Sequence, residues 1–250
     1  MKTVRTTIVA VLRVALATLG LTLPALSSGQ VTLHFNERPP YTFVKDGHLS
    51  GIIGTRVEAA FTAANIPYTL ALTPTARQLL IIKANTGLDC SASGWFRNEE
   101  RERLGRFSAP VYRDKARVAL TNARSAKIRD GDTIESVLGN KAINLLVKQG
   151  YSYGKFFDEL IQKLQPARTS VTVENVAMVK MIAAGRADLM LVSQEEADGL
   201  IGAADISPED IRVIHFANAP AGEDRYIFCS KRVPDEMIDR LNSAIESAKP

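Results

Sequence analysis

From residue 31 onward, short apolar runs alternate with amphipathic helical stretches, and this alternation constrains the fold more than any other feature of the chain. VTLHFN (31–36) has strand character, and TRVEAAFTAAN (55–65) puts Val57, Phe61 and Ala64 on one helical face. IPYTLALT is a strand again, TARQLLIIKAN a second helix and GLDCSAS a strand. Strands separated by helices favour a mainly parallel sheet with right-handed crossovers. After PVYRD the pattern restarts with KARVALT, DTIESVLG, KAINLLV and SYGKFFDELIQKL, read as strand, helix, strand, helix. ARTSVTVE, NVAMVKMIAAG, RADLMLV and QEEADGLIGA repeat it, with Gly185 as a helix stop. IRVIHFA and DRYIFCSK are strands, and Pro234-Asp235 opens a last helix with Met237, Ile238, Leu241 and Ile245 facing inward.

The residues before this pattern follow a different logic. MKTVR is basic, VALATLGLTL is apolar and PALSSGQ supplies small residues, the architecture of an export signal over residues 1–28. No cysteine follows the apolar run to carry a lipid anchor, and no later segment approaches ~18 uninterrupted apolar residues, so a soluble exported chain is expected. The formal charge of +4 shrinks once Lys2, Arg5 and Arg13 are assigned to the signal: 31 basic residues less these 3 leaves 28 against 27 acidic ones. A near-neutral balance without a Lys/Arg block excludes the electrostatic footprint of a nucleic-acid binder. His34, His48 and His215 lack metal-ligand spacing, and no cofactor motif is present. Cys90 and Cys229 both end strand-like runs; an oxidising compartment favours a disulfide, and two buried thiols are the alternative.

One stretch poses a functional choice. KQGYSYGKFF (148–157) contains Gly150-Tyr151-Ser152-Tyr153-Gly154, the G-x-S-x-G pattern of a nucleophilic serine on a strand-to-helix turn. The same residues also suit a helix start with Ser152 as N-cap and free backbone N–H groups facing an anion. A triad needs a histidine after Ser152, and only His215 follows it, within the strand-like IRVIHFA, with Asp188 or Asp198 as acids. No oxyanion-loop motif precedes Ser152, which favours the helix start.

Three blocks then carry a resemblance: NERPPYTFVKDGHLSG, EERERLGRFSAPVY and AAGRADLMLVSQEEA, in that order. They resemble bacterial periplasmic solute-binding proteins of the amino-acid-binding, family 3 type, the substrate-binding components of ABC transporters. The resemblance implies an α/β fold of two type II-like lobes, each a mainly parallel sheet flanked by helices, with the ligand cleft between them. Lobe one would comprise residues 29–116 and 222–250, and lobe two residues 117–221. Cys90 and Cys229 would then share lobe one, which strengthens their pairing. A monomeric periplasmic protein without cofactor, delivering a small polar, carboxylate-bearing solute (an amino acid or related anion) to an inner-membrane ABC permease, is the implied function.

The resemblance also nominates site residues. Arg101 matches the arginine that grips a ligand carboxylate, for which a guanidinium fork is suited. Tyr41 sits where an aromatic wall is placed, and Trp95 and Phe96 follow the strand that ends at the cleft; core packing is the competing role for all three. Arg77 is a second candidate cleft arginine or an exposed helix residue; with Arg101 it would favour a dicarboxylate. Gln149, Gly150, Tyr151 and Ser152 would face the ligand from the second lobe. Phe96 stands where a small hydroxyl residue is usual, Asn98 replaces a common Thr, and Ser193 stands where an Asp five residues after Asp188 would hold an ammonium. Glu195 is the favoured substitute, with Glu196 as the other, and Asp188 is structural. These departures weaken the case for a standard amino acid. A dehydratase-like enzyme using a cleft Glu as general acid, or a ligand-sensing receptor, are the alternatives on the same fold.

Overall fold

The computed structural model describes residues 29–248; the expected export signal lies outside the described residues. The first sheet begins with β1 (Val31–Phe35), and the small hairpin β2 (Phe43–Lys45) and β3 (His48–Ser50) leads into helix α1 (Gly51–Ala63). Next come β4 (Tyr68–Leu72), α2 (Thr75–Ala84), β5 (Asp89–Trp95), α3 (Glu99–Leu104) and β6 (Gly105–Arg113). The chain then crosses into a second sheet with β7 (Arg117–Asn122), α4 (Ile134–Gly139), β8 (Asn144–Lys148), α5 (Lys155–Leu164) and β9 (Ala167–Val171). It continues through α6 (Asn175–Ala183), β10 (Leu189–Ser193), α7 (Gln194–Ala203) and β11 (Ile211–His215). Finally β12 (Asp224–Ser230) returns to the first sheet, followed by α8 (Asp235–Ser247).

The strand orders are β4-β1-β5-β12-β6 and β11-β7-β10-β8-β9. In each sheet one strand runs against the others: β12 is antiparallel to β5 and β6, and β7 to β10 and β11. The remaining neighbours pair in parallel, as β–α crossovers require. The fold is thus two-lobed α/β, and among the described residues the chain passes between lobes at residues 114–116 and 216–223.

Each lobe buries its own core. In the first, Val57, Phe61 and Ala64 of α1 and its C-cap pack with Met237, Ile238, Leu241 and Ile245 of α8, as their helical spacing dictates. Ile82, Trp95 and Phe228 fill the opposite face beneath α2. In the second, α4 and α5 cover one face through Val137, Leu138, Phe157 and Ile161, while α6 and α7 cover the other through Met178, Val179 and Leu200. Strand β6 is not evident from sequence, because Pro110 interrupts its apolar run. It lies at the sheet edge, where a missing N–H leaves no neighbour unpaired.

Cys90 and Cys229 form a disulfide. They are directly opposed on β5 and β12, with Cα atoms 4.0 Å apart, so the bond staples the returning strand to the strand beside it.

Candidate functional site

The facing surfaces of the two lobes are lined by side chains from their strand ends and connecting loops, and arginines dominate them. Arg38 follows β1, Arg101 lies in α3, Arg117 starts β7 and Arg225 lies in β12; all four are buried. Only Arg101 is expected from sequence.

Arg225 is 2% exposed and sits on the returning strand. Its Nε and Nη2 donate to Asp114 at 2.6–3.0 Å, and its Nη1 donates to the Gly94 carbonyl at 3.0 Å. Asp114 begins the first crossing segment and also accepts from Ser193 Oγ at 2.8 Å and Tyr41 OH at 3.2 Å. Burial pushes the Asp114 carboxyl up, but the Arg225 guanidinium outweighs this and holds it below its ordinary value. This cluster therefore ties both lobes to the crossing strands. Its existence explains Ser193: the hydroxyl serves a carboxylate supplied from elsewhere in the chain.

Arg38 forms the second buried pair, across the lobes. Its Nε and Nη2 each donate at 2.6 Å to the two oxygens of Glu196, in the first turn of α7, and Asn175 Nδ2 donates to the same carboxylate at 3.0 Å. Burial raises the Glu196 carboxyl, but Arg38 wins and keeps it lowered. Glu195, the favoured acid from sequence, is half-buried and instead accepts from Tyr112 OH and the Lys115 N–H, both at 2.6 Å. Both acids bridge the lobes: Glu195 holds β6 and the crossing segment, and Glu196 holds Arg38 beside the cavity. The two acids have different partners because adjacent residues in a helical first turn point about 100° apart, which sequence position alone does not resolve.

Arg101 and Arg117 are different. Arg101 donates to the Phe96 carbonyl at 2.9 Å and to the Gly150 carbonyl of the other lobe at 3.3 Å, and lies 4.6 Å from the Trp95 ring centroid. Burial lowers its guanidinium to about 10, still cationic near neutrality. Arg117 Nε donates to the Tyr153 carbonyl at 2.6 Å, while Nη2 is buried without a partner. Among the described residues neither arginine makes a salt bridge, although two carboxylates neutralise the other pair. Burial, and then the nearby Arg225 charge, lower the Arg117 guanidinium. Phe96 carries two of these cations, with Arg225 at 3.8 Å and Arg117 at 5.2 Å from its centroid. The aromatic ring at a position where a hydroxyl is expected is thus a cation–π platform.

A cavity of about 20 Å³ remains between the lobes, lined among others by Asn36, Arg38, Trp95, Phe96, Arg101, Tyr151, Ser152 and Arg225. That is room for about one water, so any larger solute requires the lobes to part or side chains to move. Trp95, Phe96, Arg101, Tyr151 and Ser152 are brought together here as expected candidates. Tyr41 lies beneath them, fully buried and flanked by Arg38 and Arg225 at 4.8 and 5.2 Å. Arg77 is exposed on the surface of α2 and does not line the cavity. Gln149 is likewise exposed, on a separate groove with Gly150 and Tyr151. Asn98 caps α3, accepting the Arg101 N–H at 2.9 Å, and so helps place that arginine.

The stretch after β8 also departs from expectation. Helix α5 starts at Lys155 and its N-cap is Gly154, not Ser152. Ser152 Oγ donates to Asp158 at 2.5 Å, while Asp158 accepts the Tyr153 N–H and Glu223 accepts the Phe156 N–H. The helix start already has carboxylates of this chain against it, so it is not an open anion cradle. Gly154 is required there: its φ is +92°, and a Cβ would lie 2.6 Å from Glu223 Oε1. His215 pairs with Asp130, and Asp188 binds the Asn144 N–H and Lys127, so neither acid nor base joins Ser152.

Both buried carboxyls set a pH dependence. Their folded values lie below the ordinary carboxylate value of about 4, so protonation must break ionic pairs that the unfolded chain lacks. The stability they contribute is fully present above that value and is lost as pH falls through the folded values. The unfolding midpoint is expected to drop as pH falls below about 4; a midpoint unchanged at pH 3 would mean that neither pair contributes to stability.

The comparisons agree with this architecture. The structure is similar to the arginine-, lysine-, histidine-binding protein ArtJ from Geobacillus stearothermophilus, with TM-score 0.70 and 14% identity over 88% of this chain and 89% of that one. It is similar to the arginine-bound, truncated ArgBP from T. maritima, with TM-score 0.68 and 16% identity over 88% and 96% of the two chains. An ancestral arginine-binding protein bound to arginine matches with TM-score 0.68 and 13% identity over 88% and 92%. At these identities the likeness shows the fold. No curated protein matches the sequence. The family model for bacterial extracellular solute-binding proteins, family 3, matches residues 31–249, nearly all of the described chain, and the protein belongs to that family.

Proposed function

We propose that this chain captures a small anionic, carboxylate-bearing solute between its lobes and delivers it to an inner-membrane ABC permease, acting in the periplasm as a monomer and without chemistry. The observation that carries the anionic assignment is the pair of buried guanidinia, Arg101 and Arg117, that among the described residues have no carboxylate within ion-pair distance, Asp158 and Asp114 acting on them only from further away, while Arg38 and Arg225 are directly paired. An anion entering the opened cleft supplies the missing counter-charge, and closure then strengthens each contact by excluding water. Several similar structures hold arginine, a cationic solute. A surplus of guanidinia repels such a ligand, so fold likeness does not transfer that specificity.

The non-catalytic assignment is supported by the same geometry. A general acid must hold a proton, whereas Arg38 keeps Glu196 ionised. Ser152 is hydrogen-bonded to Asp158 and no histidine faces it among its partners.

A thermal-shift panel of short mono- and dicarboxylates, neutral amino acids and arginine tests the proposal. Carboxylates at about 100-fold over Kd should add about 2.7 kcal/mol and raise the midpoint by several degrees. Arginine should leave it unmoved. A shift with arginine and none with any anion contradicts the assignment.

A further inference from the structure

Glu196 is 0% exposed, and both of its oxygens are engaged by other residues of the chain. A fully buried carboxylate stays ionised only beside a cation, and here the cation comes from the opposite lobe, 158 residues away. The two 2.6 Å bonds from Nε and Nη2 form the two-point fork that a guanidinium-bearing solute would use. Arg38 does not rely on Glu196 alone for its position. Its guanidinium lies 4.8 Å from the Tyr41 centroid and 5.3 Å from that of Tyr151, so a ring from each lobe holds it. It also borders the small cavity with Arg101.

We propose that Arg38 sets the charge specificity of the cleft: from within the chain it occupies the place of a solute's cationic group against Glu196, so that ammonium- and guanidinium-bearing solutes are excluded and anions are admitted. The inference rests on the cleft being the solute site, as proposed above. A free cation must displace a guanidinium that the fold already holds at 2.6 Å, an intramolecular partner with a large advantage over a dissolved one, and must also enter beside Arg101, Arg117 and Arg225. With Arg38 removed, Glu196 is left as a buried carboxylate beside a guanidinium-sized space. A small cation of matching shape then becomes a stabilising ligand.

The experiment compares the full chain, Arg38→Ala and Arg38→Ala/Glu196→Gln by thermal unfolding, with methylguanidinium chloride at about 10 mM as probe and sodium chloride at the same concentration as control. Methylguanidinium should raise the Arg38→Ala midpoint by about 3–6 °C and leave the unsubstituted chain and the double variant within about 1 °C. An Arg38→Ala chain that folds and does not respond overturns the proposal, as does a response that survives Glu196→Gln. Should Arg38→Ala not fold unaided, recovery of soluble folded protein on refolding with methylguanidinium supports the proposal, and no recovery overturns it. The carboxylate panel on the unsubstituted chain keeps the two ideas apart. If no anion binds there but the variant is rescued, anion capture fails and only the exclusion of cations by Arg38 stands; the reverse result leaves anion capture standing alone.

Discussion

Arg225→Ala is expected to lower the stability of the chain by about 3–5 kcal/mol, the range for breaking a buried ion pair by removing one partner, and its unfolding midpoint by roughly 10 °C. Asp114, 6% exposed in the unsubstituted chain, would keep Ser193 and Tyr41 as side-chain donors and only Arg117, beyond salt-bridge distance, as a nearby cation. The Gly94 carbonyl would lose its donor, and Phe96 the guanidinium 3.8 Å from its centroid. A paired Arg225→Met/Asp114→Leu variant separates the cost of a stranded charge from the worth of the pair. Removing both charges should recover part of the loss, though not all of it, because Ser193 and Tyr41 then lack their acceptor. Thermal or denaturant unfolding of the three chains measures this. An Arg225→Ala chain within about 1 kcal/mol of the unsubstituted one would mean the pair contributes no more than an exposed bridge.

The disulfide gives the second large effect. Cys90 and Cys229 are 139 residues apart, and the loop they close contains the whole second sheet and both crossing segments. In the chain-entropy model, closing so long a loop restricts the unfolded chain by about 5 kcal/mol. Cys90→Ala/Cys229→Ala should therefore unfold at a markedly lower denaturant midpoint, by about 4–5 kcal/mol at most. A reducing agent should shift the unsubstituted chain by a similar amount and leave the double variant unmoved. A loss below about 1 kcal/mol would show that the reduced chain retains enough structure to make the constraint redundant.

Much of this architecture is legible in the sequence, since hydrophobic period reports local geometry directly. The inward stripe Met237, Ile238, Leu241 and Ile245 emerges from spacing alone and is buried in the structure. The paired cysteines and the placing of Arg101 beside Trp95 and Phe96 are also foreseeable, from strand endings and motif order. The charged centre is less so. Arg38, the Asp114–Arg117 stretch and Arg225 come from three segments far apart in the chain, and the Arg38–Glu196 pair exists only once the two lobes face each other. A faint signal is present in DRYIFCS and KARVALT, where an arginine begins an otherwise apolar, buried strand and must find a partner inside. Ser152 misleads for a local reason: it precedes the helix by three residues, and Gly154 takes the cap because its positive φ favours glycine.

Four guanidinia against two pairing carboxylates is the central claim about the cleft, and calorimetric titration tests it most directly. The carboxylate that gives the largest thermal shift is titrated into the unsubstituted chain and into Arg101→Ala. One-to-one binding is predicted in the first, with at least a 30-fold weaker affinity in the second, since truncating one partner of a buried charge pair costs about 2–5 kcal/mol. Equal affinity in both chains, or tighter binding of arginine than of any carboxylate, would contradict the account.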